Sequence, residues 1–129
     1  MYEIQNRMSQ AVEVLMPAHD PLTIMSRSSS EDYERLKSWT HQVFIQGYTM
    51  LRISDTRAGY SDFESSEVMY LNQSEKSPIE VAYALTLLLI IDSFSVVILD
   101  GCLVDLSEYY PRLRWILPRY QTSLVIFKD

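Results

Sequence analysis

Asp100 is the side chain of this sequence that is best placed for chemistry. It directly follows the apolar run 95–99 and directly precedes Gly101. Short β-branched runs of this kind are typical of strands buried in a parallel sheet, and ligands collect outside the carboxyl ends of such strands. Asp105 offers a second carboxylate with which Asp100 could share a divalent cation. The alternative interpretation makes Asp100 a turn former beside Gly101.

The other candidate nucleophiles and bases form no recognisable catalytic set. His19 precedes Asp20 in a proline-containing stretch that is typical of a turn, and His41 falls outside the apolar face of its predicted helix. A lone cysteine such as Cys102 is more often a small buried hydrophobe than a nucleophile. No Cys/His grouping has zinc-site spacing, and the three glycines form no phosphate-binding loop. We therefore expect no catalytic residue, no cofactor and no bound metal.

An acidic, serine-rich segment over residues 54–76 is the main candidate for a binding surface. Between residues 55 and 75 it holds five carboxylates against one arginine, with tyrosines interspersed. Carboxylates steer a basic partner into an encounter, and exposed aromatic residues anchor interfaces. The alternative is a plain solvated loop. The predicted partner-binding residues are Tyr60, Asp62, Phe63, Glu64 and Glu67.

Aromatic and basic side chains also cluster near the C-terminus. Rings beside arginines could bind a single nucleic acid strand or a phosphate. Here apolar residues recur at helical spacing at 113, 116 and 117, so we expect a structural helix whose arginines face solvent. A contact with a protein or with nucleic acid is the alternative. The cluster comprises Tyr109, Tyr110, Arg112, Arg114, Trp115, Arg119 and Tyr120.

Two helices are predicted in the first half of the chain. Apolar residues at helical spacing indicate a helix over 2–16, followed by a loop with a short extended piece at 22–25. A second helix begins at Ser29 or the serine after it, where a capping-box spacing occurs. Its apolar face is predicted to run over 33–51, with a kink or break at Gly47. A short strand is expected at 68–71.

The clearest local signal introduces a third helix. Ser77 is a predicted N-cap, Pro78 occupies the first helical position, and Glu80 completes a capping box. The following run, 81–91, is uncharged and apolar on every side. It is too short for a membrane span, which needs about 20 residues. We therefore predict a helix that is buried all round.

The last third reads as strand, helix and strand. The runs 95–99 and 123–127 suit strands, and residues 106–117 can form a helix stopped by Pro118. This order predicts a βαβ unit. A hairpin is the competing interpretation, because Asp-Gly between apolar runs is also a tight-turn signal.

Composition and charge bound the class of protein. The 129 residues are 47% hydrophobic and 22% charged, which is ordinary for a globular domain. One cysteine excludes an intrachain disulfide, and no secretory leader pattern is present, so a cytoplasmic location is expected. Residues 1–108 carry a net charge of −9, whereas residues 109–129 carry +3. The whole-chain charge of −6 disfavours nucleic acid and anionic membrane and favours basic partners.

The sequence thus predicts one α/β domain over residues 1–129. It has N-terminal helices, a buried central helix and a small sheet with a C-terminal βαβ unit. The favoured function is a non-catalytic binding protein that neutralises a basic protein partner, such as an immunity protein inhibiting a nuclease toxin. The alternatives are a small dimeric chaperone for a secreted protein and a small metal-dependent enzyme using Asp100. The pattern does not indicate an oligomeric state.

Overall fold

Five parallel strands form one sheet in the structure, a computed structural model that describes residues 21–55, 65–91 and 94–128. The strands are β1 (Leu22–Ser26), β2 (Met50–Ser54), β3 (Glu67–Tyr70), β4 (Val96–Cys102) and β5 (Ser123–Lys128). They lie side by side in the order β3-β2-β4-β5-β1. The helix predicted over 2–16 and the His19–Asp20 pair lie outside the described residues.

In the described ranges, three helices cover the two faces of the sheet: α1 (Ser30–Ile45), α2 (Pro78–Ile91) and α3 (Tyr110–Ile116). Crossovers between parallel strands are almost always right-handed, so helices that lead in opposite directions along the sheet lie on opposite faces. Trp39 of α1 accordingly packs with Ile98 on one face. Leu85 of α2 and Leu113 of α3 pack with Leu99 on the other.

This arrangement confirms the predicted α/β class and the C-terminal βαβ unit. Strands β4 and β5 are parallel neighbours joined through α3, so the hairpin alternative is wrong. The predicted extended piece at 22–25 is β1, and the strand expected at 68–71 is β3, one residue earlier. None of the helices in the described ranges is long and apolar enough to span a bilayer.

Helix α1 begins where the sequence predicts but ends earlier. The Ser29 hydroxyl accepts a hydrogen bond from the Asp32 backbone N–H at 3.1 Å, which caps the first turn. The helix ends at Ile45, and Gly47 adopts a left-handed φ of +85° that favours glycine. The predicted helical face up to residue 51 is therefore wrong, because β2 begins at Met50. The few apolar residues near position 50 fit both the spacing of a helix and the alternation of a strand, so the sequence pattern could not locate the end of the helix.

Helix α2 confirms the capping box but not the all-round burial. The Glu80 carboxylate accepts a hydrogen bond from the Ser77 backbone N–H at 3.1 Å, and the Glu80 N–H donates to the Ser77 hydroxyl at 3.4 Å. One face of the helix, with Leu85 and Leu89, is buried in the core. The opposite face is exposed and apolar, and we call it the α2 stripe. It consists of Ile79, Tyr83, Leu87 and Ile90, which are 60%, 65%, 38% and 49% exposed.

Candidate functional site

The strand order brings polar side chains together at the carboxyl edge of the sheet. Neighbouring strands β2 and β4 continue in opposite directions along the sheet, β2 to β3 and β4 to β5. In open α/β sheets, such a reversal marks the place where ligands bind. Ser54 pairs in register with Asp100, and Asp55 follows Ser54 directly. Both aspartates are 1% exposed.

Asp100, whose side chain is buried, forms an ion pair with the partly exposed Arg27, the residue that follows β1. The Arg27 Nη2 atom lies 2.6 Å from Asp100 Oδ1, and the Asp100 side chain is completely buried. The guanidinium carbon lies 5.3 Å from the centre of the Phe127 ring on β5, and the Arg27 backbone N–H donates to the Lys128 carbonyl at 2.7 Å. The pair therefore spans the carboxyl ends of β1, β5 and β4.

Asp100 is not a turn former. It lies inside β4, which continues through Gly101 to Cys102. The pairing with β5 shifts register between Asp100 and Cys102, and Gly101 has a φ of +78°. These are the features of a bulge, in which glycine supplies the left-handed residue. The bulge lets the strand extend past Asp100 and keeps its carboxylate in the interior.

Gln73 ties the carboxyl ends of β2 and β4 together. It belongs to a short 3-10 turn, Gln73–Glu75, and is 1% exposed. Its backbone N–H donates to the Asp55 carboxylate at 2.8 Å, and its side-chain amide donates to the Gly101 carbonyl at 3.1 Å. The amide oxygen accepts from the Leu103 backbone N–H at 2.9 Å. One side chain thereby pairs the backbone groups that the bulge exposes.

The two aspartates proposed to share a cation have separate partners. Asp105 is exposed and accepts a hydrogen bond from the Ser107 backbone N–H at 3.0 Å. Hydrogen bonds from Ser107 lower the pKa of Asp105, with a smaller contribution from the charge of Lys128. Asp105 thus stabilises the start of the 3-10 turn Ser107–Tyr109, whereas Asp100 is paired with Arg27. Over the described ranges, no group of three or more His, Cys, Asp or Glu side chains converges as a metal site.

The predicted partner-binding residues fall mostly outside the described residues. The four that lie outside are Tyr60, Asp62, Phe63 and Glu64. Glu67 is the first residue of β3, an edge strand that pairs with β2 and, within the described ranges, with no second strand. All four residues of β3 are exposed. Its apolar members are Val68, Met69 and Tyr70, which are 40%, 38% and 64% exposed.

The helix predicted over 106–117 is shorter in the structure: α3 covers Tyr110–Ile116 and lies between the 3-10 turns Ser107–Tyr109 and Leu117–Tyr120, so Pro118 does not end the helical segment. The buried residues of this segment include Leu113 and Ile116 on α3 and Leu117 in the second turn. The three arginines of the aromatic–basic cluster are exposed. Arg119 stacks over the Trp115 ring, with 3.9 Å between the guanidinium carbon and the ring centre.

Cys102 and His41 match their predicted structural roles. Cys102 is buried, and its thiol donates to the Val104 carbonyl at 3.2 Å. His41 lies on the exposed side of α1.

The sequence pattern did not identify two residues at the carboxyl edge of the sheet, Arg27 and Gln73. Arg27 stands in a serine-rich stretch that reads as loop, and Gln73 in the least regular segment. The available signal for Arg27 is its position two residues after the extended piece 22–25. If that piece is a strand parallel to the one that precedes Asp100, Arg27 lies at the same edge of the sheet as Asp100.

The fold and its edge together define a parallel α/β domain with an arginine–aspartate pair at the carboxyl ends of the strands. No protein-family model, curated protein or solved structure matches this chain.

Proposed function

We propose that this chain is a non-catalytic binding protein whose partner is a basic protein. An immunity protein that inhibits a nuclease toxin is one protein of this class. The observation that carries the proposal is β3, an edge strand whose four residues are all exposed. Large apolar side chains on an exposed edge are uncommon without a partner, because such an edge invites pairing with other chains.

The charge around β3 supports a basic partner. Glu67 begins the strand, and Glu75 lies exposed shortly after it. The strand also lies within the acidic segment of the sequence, residues 54–76. An apolar anchor with a carboxylate rim is the arrangement expected for an interface that meets a positively charged surface.

The polar groups at the carboxyl ends of the strands support the choice of a binding protein over an enzyme. The Asp100 carboxylate has no exposed surface and is bonded to Arg27 at 2.6 Å. Asp55 and Gln73 are likewise buried and bonded to backbone groups of neighbouring segments. These groups hold strands and turns in place, which leaves the exposed surface to provide recognition.

The test begins with affinity purification from the native cell and mass spectrometry of near-stoichiometric proteins. With a basic partner identified, association and dissociation rates are measured across salt concentrations. We expect association to slow as salt rises while dissociation changes little, because charge steering acts on the encounter. Association indifferent to salt would contradict the proposal.

Two substitutions separate the expected roles on β3. Glu67→Gln removes a steering charge and should slow association at low salt without changing dissociation. Tyr70→Ala removes an anchor and should speed dissociation by roughly tenfold, equivalent to about 1.4 kcal/mol. Glu34→Gln, which removes an exposed carboxylate from α1, is the matched control. Equal effects from the control and from Glu67→Gln would place the interface elsewhere.

A further inference from the structure

Strand β3 has few buried side chains to hold it in the sheet. Of residues 65–73, Gln73 is the only buried one, although Leu71 packs partly buried against the core. All seven residues of β4, by contrast, are buried. Burial of apolar surface is the dominant stabilising contribution in folding, so β3 depends more than the inner strands do on its hydrogen bonds.

Hydrogen bonds attach both ends of β3 to β2. Before the strand, the Met50 backbone N–H donates to the Ser66 hydroxyl at 3.1 Å, and the Ser66 backbone N–H donates to the Met50 carbonyl at 2.9 Å. After the strand, the Leu71 backbone N–H donates to the Ser54 carbonyl at 2.9 Å. Within the described ranges, β2 is the only strand with which β3 pairs.

Gln73 connects this segment to the end of β4 as well. Its side chain bonds to Gly101 and Leu103, the residues on either side of Cys102. These bonds lie where the pairing of β4 with β5 shifts register, so the end of β4 depends on Gln73 for partners that a regular ladder would supply. The Cys102 thiol is 5% exposed behind this contact.

We propose that Gln73 is a latch, through which residues 66–73 and the end of β4 open together as one local unit while the rest of the sheet stays folded. We call residues 66–73 the β3 strap. Proteins open locally in contiguous cooperative units, and those with few buried apolar contacts open at the lowest free energy. Opening of the strap withdraws two hydrogen bonds from the end of β4 and makes Cys102 accessible. This behaviour belongs to the chain alone and does not depend on the proposed partner.

Amide hydrogen exchange of the full chain tests whether the unit is cooperative. The reporters are the backbone N–H groups of Leu71, Gln73 and Leu103, which bond to three different segments. We expect all three to exchange with one opening free energy that depends little on low concentrations of urea. The Leu124 N–H, which donates to the Pro21 carbonyl at 2.8 Å, should exchange roughly a hundredfold more slowly. Different opening free energies for Leu71 and Leu103, or exchange of all four only through global unfolding, would overturn the proposal.

The reactivity of Cys102 toward a water-soluble maleimide measures the opening directly. Gln73→Ala removes both side-chain bonds to the end of β4 and should accelerate labelling by roughly tenfold or more. Gln42→Ala, at an exposed position on α1, is the matched control and should leave the rate unchanged. Urea denaturation of each variant gives its global stability. An acceleration no larger than the loss of global stability predicts would mean that Cys102 reacts only through complete unfolding, and would contradict the latch.

Ser66→Ala tests the same connection from the far end of the strap, in a chain that keeps Gln73. It removes the hydroxyl that accepts from the Met50 N–H. If the strap and the end of β4 are one unit, both Leu71 exchange and Cys102 labelling should accelerate by roughly threefold or more. Faster exchange at Leu71 with unchanged labelling of Cys102 would show that the two segments open separately, and the latch would be refuted.

Discussion

The Arg27–Asp100 ion pair at the carboxyl ends of the strands should contribute measurably to the stability of the fold. Removing one partner of a buried pair costs about 3–5 kcal/mol, since the other charge is left uncompensated. The Arg27 side chain is 30% exposed and can regain water, so we expect Asp100→Asn to cost less, about 2–3 kcal/mol. Urea denaturation midpoints measure this loss.

Two variants control that experiment. Asp105→Asn changes an exposed carboxylate and should cost less than about 0.5 kcal/mol. Arg27→Met combined with Asp100→Asn removes both charges and should be more stable than Asp100→Asn alone, because no guanidinium is then left without its carboxylate. An Asp100→Asn protein as stable as the unsubstituted one would mean that the pair contributes nothing to the folded state.

Ser77 and Glu80 make a second residue-scale prediction. Ser77→Ala removes the hydroxyl that caps α2 and should cost about 1 kcal/mol. Ser38→Ala, at an exposed position within α1, is the control and should be close to neutral. An unchanged denaturation midpoint for Ser77→Ala would show that the capping bonds do not stabilise α2.

The same capping box gives stability a dependence on pH. Hydrogen bonds from the Ser77 backbone and hydroxyl lower the pKa of Glu80 in the folded chain, with a smaller contribution from Lys76. The folded state therefore holds this carboxyl's proton less tightly than the unfolded state does. Its contribution is present at neutral pH and is lost as pH falls through the range in which the carboxyl is protonated. In Glu80→Gln, this part of the acid destabilisation should disappear.

At the scale of elements, α2 has two faces that composition alone cannot distinguish. Leu85 is 1% exposed within the core, whereas Leu87 belongs to the α2 stripe. Leu85→Ala should cost about 2–5 kcal/mol through the cavity that it leaves, and Leu87→Ala should cost less than about 1 kcal/mol in the monomer. Equal costs in monomeric protein would restore the prediction of a helix buried all round.

The starts of α1 and α2 were predictable from the sequence, whereas the end of α1 was not. The caps at Ser29 and Ser77 are local, because each serine bonds to a backbone group three residues away. The end of α1 depends on tertiary context, since Met50 pairs with Val96 far along the chain. Asp100-Gly101 is a turn signal in the local sequence, but β5 and Gln73 provide partners that keep the strand extended.

At the scale of the whole molecule, the sequence predicted the class of fold but not the order of its strands. Apolar runs predict strands without specifying their neighbours, so neither the register of Ser54 with Asp100 nor the pairing of Arg27 with Asp100 could be foreseen. The charge asymmetry was visible from the start, with −9 in residues 1–108 and +3 thereafter. Where the charged segments lie relative to one another depends on the fold, which places α3 and the β3 edge on opposite sides of α2.

The position of β1 also determines when the sheet can assemble. Among the described strands, β1 pairs only with β5, and their partners, such as Leu22 and Leu124, lie on the order of 100 residues apart. A ribosome therefore releases β1 and α1 long before the strand that β1 needs has been made. Closing so long a loop is entropically costly and slows folding. Nascent chains halted before residue 123 should expose the edge of β1 and depend on chaperones until β5 emerges.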